Sequence, residues 1–231
     1  MNHNPYATES VAAISAAAEE RATFLQRTYL MLLAGVGVFA GTIWAADNVP
    51  AIQNLAIGLW RTHPLLVLAL LFGAGFGVRA VANKHPINLV AYFAYAFFFG
   101  LLLAPASLYA AEFAPDVLSQ AVVVTLLVFS GLTAYVFVSG KDFSFMRGAL
   151  VIASLILFAV LIGGWIFGYT MGLWMSVAFV ALYAGFILYD TSRILHHYPT
   201  NAHVAAAIEL FVSLIMLFQW ILNLLLSMND D

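Results

Sequence analysis

The amino-acid sequence predicts an all-α polytopic membrane protein, a seven-transmembrane-helix bundle, and three observations carry that expectation. The chain has 231 residues, of which 64% are hydrophobic and 8% charged, against about 25% charged residues in a typical soluble domain. Its apolar residues gather into seven runs, each close to the roughly 20 residues that a helix needs to cross a bilayer. Seven of the eight lysines and arginines fall on one side of those runs, as the positive-inside rule requires of a spanning chain. With a mean hydropathy of +0.99, the bilayer is the solvent and the first partner the sequence implies.

The spans follow one another between short polar separators. Residues 1–23 form an Ala/Glu/Ser-rich tail of weak helical character, expected to be cytosolic and too long to be the n-region of a cleavable signal. The first span is expected at 24–46 and stops at "DNVP" (47–50). The second, 64–82, follows "RTHP" and the third, 87–109, follows "NKHP". Pro64 and Pro86 suit helix starts, where a missing N–H loses no hydrogen bond. "APD" (114–116) precedes the fourth span at 117–138, and "SGKD" (139–142) precedes the fifth at 148–168. Only "GGWIFGYTMG" (163–172) parts the fifth span from the sixth, 172–194, so that boundary is soft. "HHYPTN" (196–201) leads into the seventh, 204–227, and residues 228–231 form a short tail.

The charges orient this bundle. Arg21, Arg27, Arg79, Lys84, Lys141, Arg147 and Arg193 share one side, while Arg61, Glu112, Asp116, Asp230 and Asp231 share the other. The N-terminus is therefore expected in the cytoplasm and the C-terminus outside. Eight scattered basic residues make no nucleic-acid surface. The absence of cysteine removes disulfides and thiolate metal sites. No catalytic constellation is evident: "FSG" (129–131) lacks the flanking glycine of a nucleophile elbow, "YD" (189–190) has no matching GxGD, and there is no phosphate-binding glycine loop. The chain reads as a non-enzyme without a bound cofactor.

Chemistry concentrates in "LYDTSRILHHYPTNAHVAAAIELF" (188–211). Asp190 ends the sixth span, where an ionised carboxylate is costly and points into the bundle or a wet cavity. A simple pairing with Arg193, one turn on, is the alternative. Glu209 lies in the second turn of the seventh span, and with Ser213, Met216, Trp220, Asn223 and Ser227 makes a semi-polar stripe at helical spacing. Such a stripe faces other helices, either as a site or as hydrogen-bonding glue between them. Asp190 and Glu209 are near one membrane face and can approach; two carboxylates in contact titrate as a unit, and such a pair binds a divalent cation or senses protons. Arg79 is a candidate latch for that pair, or a snorkelling interfacial arginine. His196, His197 and His203 lie at the membrane surface without metal-ligand spacing. His196 and His197 would sharpen a pH response, since histidine titrates near neutrality.

Four segments resemble one known family. "GLTAYVFVSGKDFSFMRGAL" (131–150), "HPINLVAYFAYAFFFGLLLAPA" (85–106), "LYDTSRILHHY" (188–198) and "AAIELFVSLIMLF" (206–218) are similar, in order, to signatures of the Bax-inhibitor-1 (TMBIM or YccA-like) family. The resemblance implies a bundle with the seventh helix at its centre and the other six around it. It also implies a pH-sensitive calcium leak, with Ca2+ as a transiently bound, transported ion. In such members an aspartate ending the sixth helix pairs with one in the seventh; the matching positions here are Asp190 and Ser213, with Glu209 one turn earlier. The bacterial branch of the family, which has serine there, implies a second role: a partner and modulator of the inner-membrane protease FtsH, with the N-terminal tail as the protease's handle.

Overall fold

A computed structural model of the chain describes residues 12–13, 16–62, 64–168 and 172–229. The helices are α1 (Ala18–Asn48), α2 (Pro50–Thr62), α3 (Pro64–Val81), α4 (Ile87–Phe113), α5 (Pro115–Ser139), α6 (Arg147–Phe167, entered through a 3-10 turn at Ser144–Met146), α7 (Gly172–His196) and α8 (His203–Asn229). Among the described residues there is no strand beyond an isolated bridge between Ala12 and Pro199. The all-α polytopic class is as the composition requires.

Among the described residues six segments are long and apolar enough to cross a bilayer: α1, α4, α5, the Ser144–Gly164 stretch leading through α6, α7 and α8. The second expected span, 64–82, coincides with α3, which runs over 18 mostly apolar residues from Pro64 to Val81. The sequence reading left 51–60 unassigned, and it forms α2, a 13-residue helix with Pro50 at its start. Ala56 on α2 packs with Ala46 of α1 and with Leu101 and Ala104 of α4. Trp60 Nε1 donates to the Leu102 carbonyl at 2.9 Å, in the stretch of α4 that Pro105 interrupts.

The centre of the bundle is α8, which packs directly on α7, α1, α5 and α4. Of the other three, α2 joins through α1 and α4, α3 mainly through α4, and α6 through α7. The last helix is thus central, as expected, with α1, α4, α5 and α7 packed directly on it. α6 turns Val151, Ile152, Leu155 and Ile156 outward, the faces a lipid-solvated helix exposes. α1 and α4 approach closely because two positions carry no side chain. The Tyr92 ring occupies the space over Gly35, and Gly100 rests against Thr42 and the Phe39 carbonyl. Tyr92 Oη then donates to the Met31 carbonyl at 3.1 Å. Around this contact Phe39, Tyr92, Tyr95 and Phe99 surround Phe211 of α8, with ring centroids 5.7–6.5 Å from it.

A polar cluster between the ends of α7 and α8

α7 and α8 are antiparallel neighbours joined by residues 197–202, so the end of one meets the start of the other. On α7, Asp190 and Arg193 are three residues apart; on α8, Glu209 and Ser213 are four apart. Both spacings put the pair on one helix face. Ser213 Oγ donates to Asp190 Oδ2 at 2.5 Å, and Arg193 Nη1 donates to both Glu209 carboxylate oxygens at 3.3 Å. Asp190 is 5% exposed and Ser213 4%, whereas the Arg193 and Glu209 side chains keep 33% and 16%. The guanidinium carbon of Arg193 also stands 5.5 Å from the Tyr189 ring and 5.2 Å from that of Tyr198, a cation–π arrangement on two sides. Two ties therefore cross from α7 to α8, Asp190 to Ser213 and Arg193 to Glu209.

Arg79, the expected latch, is exposed at the end of α3 and makes no ion pair among the described residues. Arg193 holds the position a latch would occupy, on Glu209 rather than on Asp190.

A second group of polar residues lies beside the first; of its members the sequence points only to His196 and His197. Gly140 ends α5 in the left-handed conformation at φ 59°, which suits glycine, and its carbonyl meets His196 Nε2 at 3.2 Å. The next residues fold around Asp142. Its Oδ1 accepts from the Ser144 amide at 2.8 Å and from Ser192 Oγ at 3.2 Å, and its Oδ2 meets His197 Nε2 at 2.9 Å. Ser192 Oγ accepts in turn from the Phe143 amide at 2.8 Å. Desolvation works against the Asp142 carboxylate, but its bonds from Ser144 and His197 outweigh it and hold its pKa well below the usual carboxylate range. His196 and His197 thus fasten the α5–α6 loop to the end of α7. Among the described residues no three His, Asp or Glu side chains group in a way that would hold a metal ion.

The stripe on α8 faces inward along its length, with different neighbours at each level. Ser227 Oγ donates back to the Asn223 carbonyl of its own helix at 2.8 Å, and Gln219 Nε2 donates to Asn223 Oδ1 at 3.3 Å. Trp220 stacks on Phe179 of α7 with centroids 3.9 Å apart. Met216, Trp220 and Asn223 line a cavity of about 500 Å³ bounded by α2, α3, α4, α6 and α8. Trp60, Leu71, Phe99 and Phe158 make much of its wall.

The comparisons with known proteins fit this geometry. The model of the family described as Inhibitor of apoptosis-promoting Bax1 matches residues 21–231. The chain belongs to the Bax inhibitor-1 family. An uncharacterized membrane protein of Vibrio cholerae is 34% identical over 186 residues, covering 79% of this chain and 83% of that protein. The Modulator of FtsH protease YccA from Escherichia coli is 31% identical over 183 residues, 78% of this chain and 83% of its own length. Protein lifeguard 4 of mouse is 29% identical over 218 residues, covering 93% and 89%. Family membership accounts for the four quoted segments. Asp190, Ser213 and Glu209 come from two of them, on α7 and α8, and lie where the end of α7 meets the start of α8.

Proposed function

We propose that this chain is a pH-sensitive cation leak, with calcium as the transported ion, gated by the carboxylates Asp190 and Glu209. The observation that carries the reading is a buried carboxylate, Asp190, held by Ser213 beside the Arg193–Glu209 ion pair. With both carboxylates ionised the cluster carries one unmatched negative charge, and a proton on either removes it. Protonating Glu209 dissolves its ion pair with Arg193, and protonating Asp190 weakens its tie to Ser213. Either change loosens α7 from α8. Ser213 stands where a second aspartate would complete the pair, so Glu209 supplies the second carboxylate one turn away. The role needs neither catalysis nor a bound cofactor. It places the chain in the bacterial inner membrane, with the N-terminus and the Asp190 end cytoplasmic and the C-terminus outside.

The test is calcium flux into dye-loaded liposomes between about pH 5 and pH 8, the range where histidines and perturbed groups titrate. Wild-type protein is expected to leak several-fold faster at the acid end, Asp190→Asn and Glu209→Gln to flatten that dependence, and Ser213→Asp to strengthen it. A wild type that passes no calcium at any pH ends the reading.

A second reading is favoured by the 31% identity to a relative named as a modulator of FtsH protease. In it the chain binds that membrane protease through residues 1–23, most of which lie outside the described residues. Deleting 1–23 should abolish co-purification with the protease and change the turnover of its membrane substrates, while the bundle still folds.

A further inference from the structure

The α7–α8 loop is contacted by a part of the chain far from it in sequence. Ala13 N donates to the Tyr198 carbonyl at 2.8 Å, and Ala12 pairs with Pro199 in an isolated antiparallel bridge. Ala13 is fully buried there. The loop itself is closed by the His197 and Tyr198 amides, which both donate to the Arg193 carbonyl, at 2.8 and 3.0 Å. The Tyr198 side chain continues the connection inward. Its ring covers the Arg193 guanidinium, and its hydroxyl is pushed far above the usual tyrosine range by burial and then by the Glu209 carboxylate. A continuous path of contacts therefore runs from the N-terminal segment through Tyr198 to Arg193 and Glu209.

We propose that residues 12–13 are a strap: the N-terminal segment adds one extended pairing to the α7–α8 loop and holds Tyr198 over the Arg193–Glu209 pair. A protein partner that takes the N-terminal tail as an extended peptide competes with that pairing and frees the loop. The chemistry suits release. An isolated bridge and one buried methyl are a small contact that a longer strand pairing can replace, and the loop residues offer a backbone edge that an extended segment reads without side-chain specificity. Binding at the tail and the state of the polar cluster are then two readouts of one local equilibrium. As regulation of a gate, the strap rests on the reading of that cluster as one; as a contact it does not.

The experiment is hydrogen–deuterium exchange on the full chain in lipid nanodiscs, with calcium flux measured on the same variants. Ala13→Pro removes the donating N–H, Ala13→Gly keeps it, and a deletion of residues 1–15 removes the whole segment. Exchange at the His197 and Tyr198 amides is expected to quicken at least fivefold in Ala13→Pro and in the deletion, and to stay within twofold in Ala13→Gly. Exchange in the core of α8 around Leu217 serves as the folding control. Unchanged exchange at those two amides in the deletion overturns the strap, whatever the flux. Faster exchange together with a raised leak at neutral pH sustains both strap and gate. Faster exchange with no flux from any variant sustains the strap and overturns the gate.

Discussion

The first half of α8 and the second half meet different surroundings. Between Glu209 and Ser213 the helix is tied to α7 by an ion pair and a short hydrogen bond, both made by side chains with defined partners. Between Met216 and Asn223 the same helix borders a cavity of about 500 Å³, and its amides Gln219 and Asn223 bond to each other. In lipid there is no hydrophobic drive between helices, so association rests on packing and on polar ties. The first half has its ties and little slack. The second has slack, and depends on contacts such as the stack of Trp220 on Phe179. A change of charge should therefore be felt most in the first half, and a change of volume should have opposite signs in the two.

The strongest way to break this comparison is to remove the arginine. Arg193→Met leaves Glu209 without its partner beside a buried Asp190. The expected loss is about 3 kcal/mol, the lower end of the cost of breaking a buried pair, because a third of the Arg193 side chain is exposed. Adding Glu209→Gln to Arg193→Met should recover more than half of it, since the penalty belongs to the unpaired charge. Thermal unfolding in detergent measures both. A single variant as stable as wild type would mean that the tie between the helices lies elsewhere.

Volume changes sharpen the comparison next. Gly185 on α7 is one and a half turns from Asp190, and a Cβ there would lie 2.8 Å from Leu150 Cδ2. Gly185→Val should destabilise by about 1–3 kcal/mol through overpacking. On the cavity wall, Ala106→Leu adds a side chain where there is room and should stabilise by about 1 kcal/mol. The same unfolding assay reads both. Equal losses at the two positions would show that the cavity is rigidly maintained, and that the two halves are packed alike.

Much of this contrast was legible before any coordinates, and the part that was not has a physical cause. Period and hydropathy located α1 and α4 to α8 within a few residues, because a lipid-spanning helix must be apolar throughout and is closed by polar turns. α2 escaped because 13 residues with Gln53, Asn54 and Arg61 fall short of a span and carry no charge pattern of their own. Asp190 and Glu209 were legible as carboxylates near one membrane face on adjoining helices, while the match of Ser213 to Asp190 came only through the family resemblance. The partner of Glu209 was harder: Arg79 and Arg193 are both basic residues at the same end, and only packing decides between them. Asp142 was passed over as part of a polar separator. Its partners Ser192 and His197 are 50 and 55 residues away, and nothing local marks that meeting. The contact of Ala13 with Tyr198 is hidden for the same reason.

The smallest expected effect concerns the clasp around Asp142. The Asp142 pKa is depressed in the folded chain, so its contribution is complete above the unfolded value of about 3.9 and is lost only as pH falls through the lower, folded value. The Phe143 and Ser144 amides, which donate to Ser192 Oγ and Asp142 Oδ1, report on it directly. Their protection from hydrogen exchange, corrected for intrinsic rates, should be flat from neutral pH down to the ordinary carboxylate range and should decline below it. Asp142→Asn should speed exchange at these two amides a few-fold and leave overall unfolding almost unchanged, because the group is half-exposed. Unchanged exchange in Asp142→Asn would show that the loop is held instead by the His196 contacts to the Ser192 and Gly140 carbonyls.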